Sequence, residues 1–238
     1  MQVAPIAPTP RTAGPLLFAG DPHGNFSPIL RACAGYPAGT LILVGDCGCD
    51  RPLPDLLRPL REVGWAVRWI LGNHDAETES TWDNLVGAAP EGDLGLRVAT
   101  IGGLRIAGLP GVFKPRVWYP RSDPPGAPID PPQAHDRASL AAQLGPRETW
   151  RDGLPLRHRD TIFPEDFDRL RAMRFDVLVS HEAPSSHRHG FAVIDALAEA
   201  CGARLIVHGH HHESYAATLP TGIAVRGLGL SEVWELPA

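Results

Sequence analysis

Four imidazole side chains lie within five residues near the C-terminal end of the sequence: His208, His210, His211 and His212. They follow an apolar run of strand length at 205–207. Imidazole is the commonest neutral nitrogen ligand of metal ions in proteins. A histidine cluster that ends a strand therefore indicates a metal site, with a solvated histidine-rich loop as the alternative.

Four other predicted strands also end in residue types that bind metal ions. These residues are Asp21 and His23, Asp46, the run Asn73-His74-Asp75, and His181. Each of them alone could be a turn or helix-cap residue, because Asp and Asn are common at such positions. In alternating β/α chains, however, ligands bind where loops converge outside the carboxyl ends of the strands. Five such endings in one chain therefore predict a single metal-binding active site.

The elements that position these residues alternate between strands and helices. Strands are predicted at 15–19, 41–44, 66–71, 177–179 and 205–207, hairpins at 94–108 and 215–228, and helices at 27–33, 56–63, 164–173 and 191–201. Continuous apolar runs such as 41–44 are typical of strands covered on both faces. The pattern predicts an α/β fold. Alternation alone does not distinguish one doubly wound sheet from two facing sheets.

The alternation of predicted strands and helices stops between residues 110 and 155. This segment is rich in proline, carries Trp118, Tyr119 and Trp150, and has one helical pattern at 138–144. Segments this long with little regular structure are usually binding loops or lids, or are partly disordered. We therefore predict a single domain over residues 15–238 with a lid-like insertion around 110–155 that shapes the substrate pocket. Residues 1–14 are predicted to form a disordered or frayed tail.

Composition limits the class and the compartment. The chain has 238 residues, 43% of them hydrophobic, and a formal net charge of −5. It has no basic block, which argues against a broad nucleic-acid-binding surface. No window reaches the roughly 18 apolar residues of a membrane span, and the N-terminus lacks the regions of a secretory signal. Four cysteines without a disulfide pattern fit a reducing compartment, so a cytoplasmic location is predicted. The oligomeric state is left open.

Taken in order, the clusters resemble the five motifs of calcineurin-like metallophosphoesterases, which are D-x-H, G-D, G-N-H-[DE], a lone His and G-H-x-H. The matching residues are Gly20-Asp21-Pro22-His23-Gly24, Gly45-Asp46, Gly72-Asn73-His74-Asp75, His181 and Gly209-His210-His211-His212. The resemblance spans residues 20–212. It implies a four-layer α/β/β/α sandwich, in which two facing mixed sheets are flanked by helices, with one site at the strand ends.

The resemblance also implies a centre of two metal ions, in which Asp46 bridges both. One ion would be completed by Asp21, His23 and His212, and the other by Asn73, His181 and His210. Nitrogen and oxygen ligands without thiolate suit two divalent transition-metal ions. Mn²⁺ is expected, with Fe or Zn²⁺ as alternatives.

The same resemblance implies the reaction, in which a metal-bridging hydroxide attacks phosphorus in line and hydrolyses a phosphoric ester. His74 is not a ligand in the family pattern and would assist the leaving group. Asp75 resembles the residue that orients the His74 imidazole. Arg188, which follows the fourth motif, is a predicted contact of the substrate phosphate.

The remaining histidines are predicted to lie outside the metal centre. His208 is expected in the strand, buried or behind a ligand, and His211 is expected to point away from the metals. His187 and His189 are expected in a solvated loop.

The predicted substrate is a small-molecule phosphoester: a nucleotide, a dinucleoside polyphosphate or a phosphodiester. A phosphoprotein phosphatase is the alternative, but such enzymes usually carry Arg where this chain has Leu71 and Glu where it has Asp75. Monoesterase and diesterase activity both stay open. The alternative of another class is a non-catalytic metal-binding scaffold of the same fold, which would be expected to have broken ligand positions. A metallo-β-lactamase-like hydrolase would need an early H-x-H-x-D-H run, which the sequence lacks.

Overall fold

Two mixed β-sheets face each other in the computed structural model, which describes residues 14–121, 128–145, 148–151 and 153–237. The first sheet contains β1 (Leu16–Ala19), β2 (Thr40–Leu43), β3 (Ala66–Trp69) and β10 (Val233–Glu235). Its strand order is β10-β1-β2-β3. Strands β1, β2 and β3 are parallel, whereas β10 runs antiparallel to β1.

The second sheet has six strands. These are β4 (Val98–Ile101), β5 (Leu104–Leu109), β6 (Val177–Ser180), β7 (Leu205–His208), β8 (Tyr215–Thr218) and β9 (Ala224–Gly227). Their order is β4-β5-β6-β7-β9-β8. The four central strands are parallel, and the edge strands β4 and β8 are antiparallel to their neighbours.

Helices cover the outer face of each sheet. The helices are α1 (Ser27–Cys33), α2 (Leu53–Leu56), α3 (Arg58–Glu62), α4 (Glu79–Trp82), α5 (Arg137–Gln143), α6 (Pro164–Arg171) and α7 (Ala192–Cys201). Residues of α1 to α3 pack on the first sheet, and those of α6 and α7 pack on the second. The predicted α/β/β/α sandwich is confirmed. In the described parts of the chain, no helix has the length and apolar character needed to cross a membrane.

The period-two alternation of strands sorts the apolar side chains into separate cores. In β2, Leu41 and Leu43 pack under the helices, while Ile42 faces the second sheet. In β6, Leu178 packs under its own helices and Val179 faces the first sheet. All five side chains are fully buried. Burying one such side chain contributes about 1.5–3 kcal/mol, so the core between the sheets fixes how their strand ends meet.

Some elements differ from their prediction. The helix predicted at 56–63 is split into α2 and α3, because Pro59 is accommodated only in the first turn of a new helix. Strand β10 was not predicted. It has three residues and is held by pairing with β1 at the other end of the chain. The predicted tail lies outside the described residues except for Gly14.

The proline-rich segment contains a small core of its own. Val117 and Leu140 are fully buried there, with Ala134 and Leu154 beside them, and Phe163, which precedes α6, packs against them. Helix α5 starts close to its predicted position, because the Asp136 and Ser139 side chains cap each other's backbone N–H groups. The packing gives this part of the insertion a defined path.

Candidate metal centre

The loops after β1, β2, β3, β6 and β7 bring the seven predicted ligand residues together. Potential ligand atoms of Asp21, His23, Asp46 and His212 lie within 4.8 Å of one another, and so do those of Asp46, His181 and His210. Asn73 belongs beside the second group, since its Oδ1 is 3.2 Å from His181 Nε2. Asp46 is common to both groups, as a bridging carboxylate must be.

The two aspartates are held by backbone groups of neighbouring loops. Asp21 Oδ2 accepts a hydrogen bond of 2.7 Å from the His210 N–H, and Asp46 Oδ1 accepts one of 2.8 Å from the His74 N–H. Asp21 Oδ1 is buried and has no hydrogen-bond partner among the described residues. An unpaired buried carboxylate oxygen is costly, and a cation beside it would remove that cost. The residues therefore fit a metal ion.

The contacts of His181 suit a nitrogen ligand of a metal ion. Its Nδ1 lies 2.9 Å from the Val44 carbonyl oxygen, which can only accept, so the proton is on Nδ1 and Nε2 faces Asp46 Oδ2 at 3.3 Å. Burial alone would lower the pKa of His181, but Asp46 and Asp21 raise it to about 10. The carboxylates thus strongly favour positive charge here. A bound metal cation would supply that charge while the ring stays neutral.

Four of the seven residues have a left-handed backbone. Their φ angles are 43° for His23, 48° for Asp46, 70° for His210 and 56° for His212. Such conformations cost non-glycine residues about 1–3 kcal/mol each and concentrate at functional sites. The strain turns these side chains toward a common centre directly after the strands end.

Two motif glycines make room for the carboxylates. A Cβ atom on Gly72 would collide with the Asp46 carboxylate, and a Cβ atom on Gly209 would collide with the Asp21 carboxylate. The loops that carry Asn73 and His210 can therefore pass directly against the two aspartates only because these positions lack a side chain.

His74 lies at the edge of the centre and is oriented by a residue that was not predicted. Its Nε2 is 3.9 Å from Asp46 Oδ2, and its Nδ1 is 2.6 Å from Glu77 Oε1. Asp75 instead accepts the N–H groups of Gly72 at 2.8 Å and Gly48 at 3.1 Å. The expectation that Asp75 orients the imidazole is corrected: Asp75 joins two loops, and burial raises the pKa of its carboxyl to about 6.

A cleft of about 380 Å³ opens beside Asn73 and His210. Its lining includes Val112, Phe113, Tyr119 and Arg121 of the proline-rich segment, together with Glu182 and Phe191. Glu182 is buried, and its Oε1 accepts a hydrogen bond of 3.1 Å from the Phe113 N–H. Burial raises the pKa of Glu182 to about 7. Tyr119, Arg121 and Glu182 were not predicted as site residues, although Glu182 follows His181 directly.

Arg188 does not line this cleft. Its guanidinium is 3.1 Å from Glu213 Oε1, and 73% of its side chain is exposed. The predicted substrate contact is therefore corrected, because an ion pair holds the Arg188 side chain at the surface. The arginine in the cleft is Arg121, whose Nη2 donates a hydrogen bond of 2.9 Å to the Arg188 carbonyl oxygen.

The other histidines form a cluster behind the ligand loop. His208 is buried at the end of β7, with its Nε2 2.8 Å from the Tyr215 hydroxyl, in the position expected for it. His187 is buried rather than solvated, because its ring stacks on His211 at a centroid distance of 4.0 Å. His211 also comes within 4.8 Å of ligand atoms of Glu182 and His210. It therefore borders the cleft.

Comparison with known proteins agrees with this architecture. The sequence matches the model of the calcineurin-like phosphoesterase family over residues 14–214. It is 40% identical, over 202 residues, to an uncharacterized protein of Haemophilus influenzae, covering 84% of each chain.

Two solved structures share the fold. The phosphopantetheinyl hydrolase of Mycobacterium tuberculosis has a TM-score of 0.53 at 18% identity, covering 93% of this chain and 95% of that one. The TT1561 protein of Thermus thermophilus has a TM-score of 0.55 at 13% identity, covering 92% of this chain and 90% of that one. The family match spans most of the sequence and all five ligand-bearing loops. The chain therefore belongs to the calcineurin-like phosphoesterase family.

Proposed function

We propose that the protein is a phosphoesterase that hydrolyses small-molecule phosphoric esters with two divalent transition-metal ions. The observation that carries this proposal is the position of Asp46, which belongs to both groups of ligand atoms. A carboxylate shared in this way can hold two ions about 3.5–4 Å apart, the spacing used for phosphoryl chemistry. The nitrogen and oxygen donors favour Mn²⁺, with Fe or Zn²⁺ as alternatives.

The proposed reaction assigns separate roles to the metal ions, His74 and Glu77. When bound, the two ions would supply a nucleophilic water at neutral pH and positive charge beside the phosphoryl oxygens. His74 Nε2 faces the centre and would donate a proton to the leaving-group oxygen. The Glu77 carboxylate lies 2.6 Å from Nδ1 and orients the ring so that Nε2 faces the centre.

Metal analysis combined with two model substrates tests the proposal. We expect about two metal ions per chain and hydrolysis of p-nitrophenyl phosphate, bis(p-nitrophenyl) phosphate or both in the presence of Mn²⁺. A chelator should abolish the activity, and restored Mn²⁺ should return it. The ratio of the two rates decides between monoesterase and diesterase. A protein that binds no metal and is inert on both esters would contradict the proposal.

Glu77→Gln is expected to lower kcat about tenfold at unchanged metal content, because losing a hydrogen bond to a charged group costs about 1.5–3 kcal/mol. Steady-state kinetics on an alkyl phosphate, whose leaving group needs a proton, measures the change. Glu79→Gln is the matched control, since Glu79 is exposed two residues away and pairs with Arg151 instead. Equal kcat values in Glu77→Gln and the wild type would remove Glu77 from this role.

The alternatives give different results in the same assays. A non-catalytic scaffold would bind two ions and hydrolyse neither ester. A phosphoprotein phosphatase would hydrolyse phosphopeptides in preference to small esters. We do not expect this result, because such enzymes usually carry Arg and Glu where this chain has Leu71 and Asp75. The four cysteines are free and buried, which fits a reducing compartment, so we place the enzyme in the cytosol as part of the proposal.

A further inference from the structure

One wall of the cleft beside Asn73 and His210 is aromatic. The rings of Phe113 and Phe191 have centroids 4.5 Å apart, and Tyr119 meets Phe191 edge-on at 5.3 Å. Phe113 and Phe191 are buried, whereas Tyr119 is 41% exposed. Phe191 packs against Tyr119, and the exposed part of Tyr119 remains available to a planar group.

The positive charge of the cleft comes from Arg121. Its hydrogen bond to the Arg188 carbonyl fixes the guanidinium and uses one of five N–H donors. The other donors have the fork geometry that binds phosphate or carboxylate groups in pairs. A main-chain anchor of this kind holds an arginine in place without neutralising its charge.

Glu182 contributes a third chemical property. One of its oxygens is held by the Phe113 N–H, and its other oxygen, Oε2, is 3.9 Å from His210 Nε2. Whether ionised or protonated, a carboxyl group at this place offers a hydrogen bond to a hydroxyl group of a ligand. The cleft thus combines a flat apolar surface, an anion-binding fork and a hydroxyl-binding group.

We propose that this cleft is a subsite for the leaving group of the substrate, and that the leaving group is a nucleoside phosphate. Its base would stack on Tyr119, its phosphate would bind Arg121, and a sugar hydroxyl would bind Glu182. The volume of about 380 Å³ lies within the usual range of small-molecule sites. The inference rests on the proposed function, because the phosphorus that is attacked must lie at the metal centre.

The reaction is then hydrolysis of a diphosphate linkage. An oxygen from water forms a bond to the phosphorus at the metal centre. The bond from that phosphorus to the bridging oxygen breaks, and this oxygen leaves with its electron pair on the nucleoside monophosphate. The two protons of the water are released or shared between the two phosphate products, so no other reactant is needed.

Kinetics on two substrates tests the subsite. ADP-glucose has the second phosphate and the base, whereas p-nitrophenyl phosphate lacks the second phosphate. Arg121→Gln is expected to raise KM for ADP-glucose about 10- to 100-fold, as loss of a charged hydrogen-bonding pair does, and to change the p-nitrophenyl phosphate constants by less than about twofold. Arg121→Lys should be intermediate, because it keeps the charge without the fork.

The aromatic contact has its own pair of variants. Tyr119→Ala should raise KM for ADP-glucose about tenfold, the factor typical of one lost stacking contact, and Tyr119→Phe should restore it. Arg116→Gln and Tyr36→Ala are matched controls, since both residues are exposed and lie outside the cleft lining. Calorimetric titration with AMP measures the subsite without turnover, and AMP should bind the wild type at least tenfold more tightly than Arg121→Gln.

The outcomes separate the two proposals. If the wild type hydrolyses p-nitrophenyl phosphate but neither cleaves ADP-glucose nor binds AMP, the subsite is wrong and the phosphoesterase proposal stands. Equal effects of Arg121→Gln on both substrates would likewise overturn the subsite. If two metal ions bind and no ester is hydrolysed, the phosphoesterase proposal fails first, and the subsite fails with it.

Discussion

Replacing Asp46 by asparagine is expected to lower the metal content from about two ions per chain to at most one and to reduce activity at least about 10³-fold. The amide keeps an oxygen that can accept the His74 N–H but loses the charge that two cations share. A pair of ions contributes several kcal/mol of transition-state stabilisation, and each 1.36 kcal/mol corresponds to a factor of ten. Metal analysis and turnover of the better model ester measure both effects.

Asp50→Asn is the matched control for this variant. Asp50 is exposed, follows the same loop and belongs to neither group of ligand atoms, so its replacement should leave both values unchanged. Circular dichroism confirms that each variant is folded. Two tightly bound ions and normal turnover in Asp46→Asn would show that Asp46 is not the shared ligand.

His74→Ala is expected to keep both metal ions and to lower kcat by about 10²–10⁴, the usual contribution of a positioned proton donor. The loss should fall on kcat, because His74 acts on the leaving group and is not among the clustered ligand atoms. A substrate whose leaving group needs no proton, such as a p-nitrophenyl ester, should lose less than an alkyl phosphate.

The control for this variant is His135→Ala. His135 is exposed and pairs with Asp168 at 3.1 Å, away from the metal centre. Its replacement should leave turnover of both esters unchanged. Full activity of His74→Ala on an alkyl phosphate would exclude proton donation by His74, and loss of metal would instead indicate a structural role.

The residues that meet at the candidate metal centre could be predicted to lie together because each follows an apolar strand, and the chain direction alone brings such positions to one edge. The hydrogen-bond partner of the His74 imidazole could not be predicted from the sequence. Asp75 and Glu77 both lie near the ring in sequence, and the path of the loop decides between them. That path turns Asp75 inward onto the Gly72 and Gly48 N–H groups and leaves Glu77 beside the imidazole.

The residues that line the cleft could not be predicted from the sequence, for a different reason. Glu182 and Phe113 are 69 residues apart and meet only when the proline-rich segment folds over the second sheet. The arrangement of strands into sheets could not be predicted from local sequence patterns either. Local patterns identify β1 and β9 as strands, but their assignment to different sheets depends on which strands pair over long range. The family resemblance, rather than periodicity, supplied the expectation of two facing sheets.

The ligand loops come from both sheets. Asp21, His23, Asp46 and Asn73 follow strands of the first sheet, and His181, His210 and His212 follow strands of the second. Each of the two proposed ions would therefore take ligands from both sheets and would link one sheet to the other. A methyl group lost from Ile42 or Val179, in the core between the sheets, could shift one half against the other. The apolar core between the sheets therefore positions the ligand-bearing loops of one sheet against those of the other.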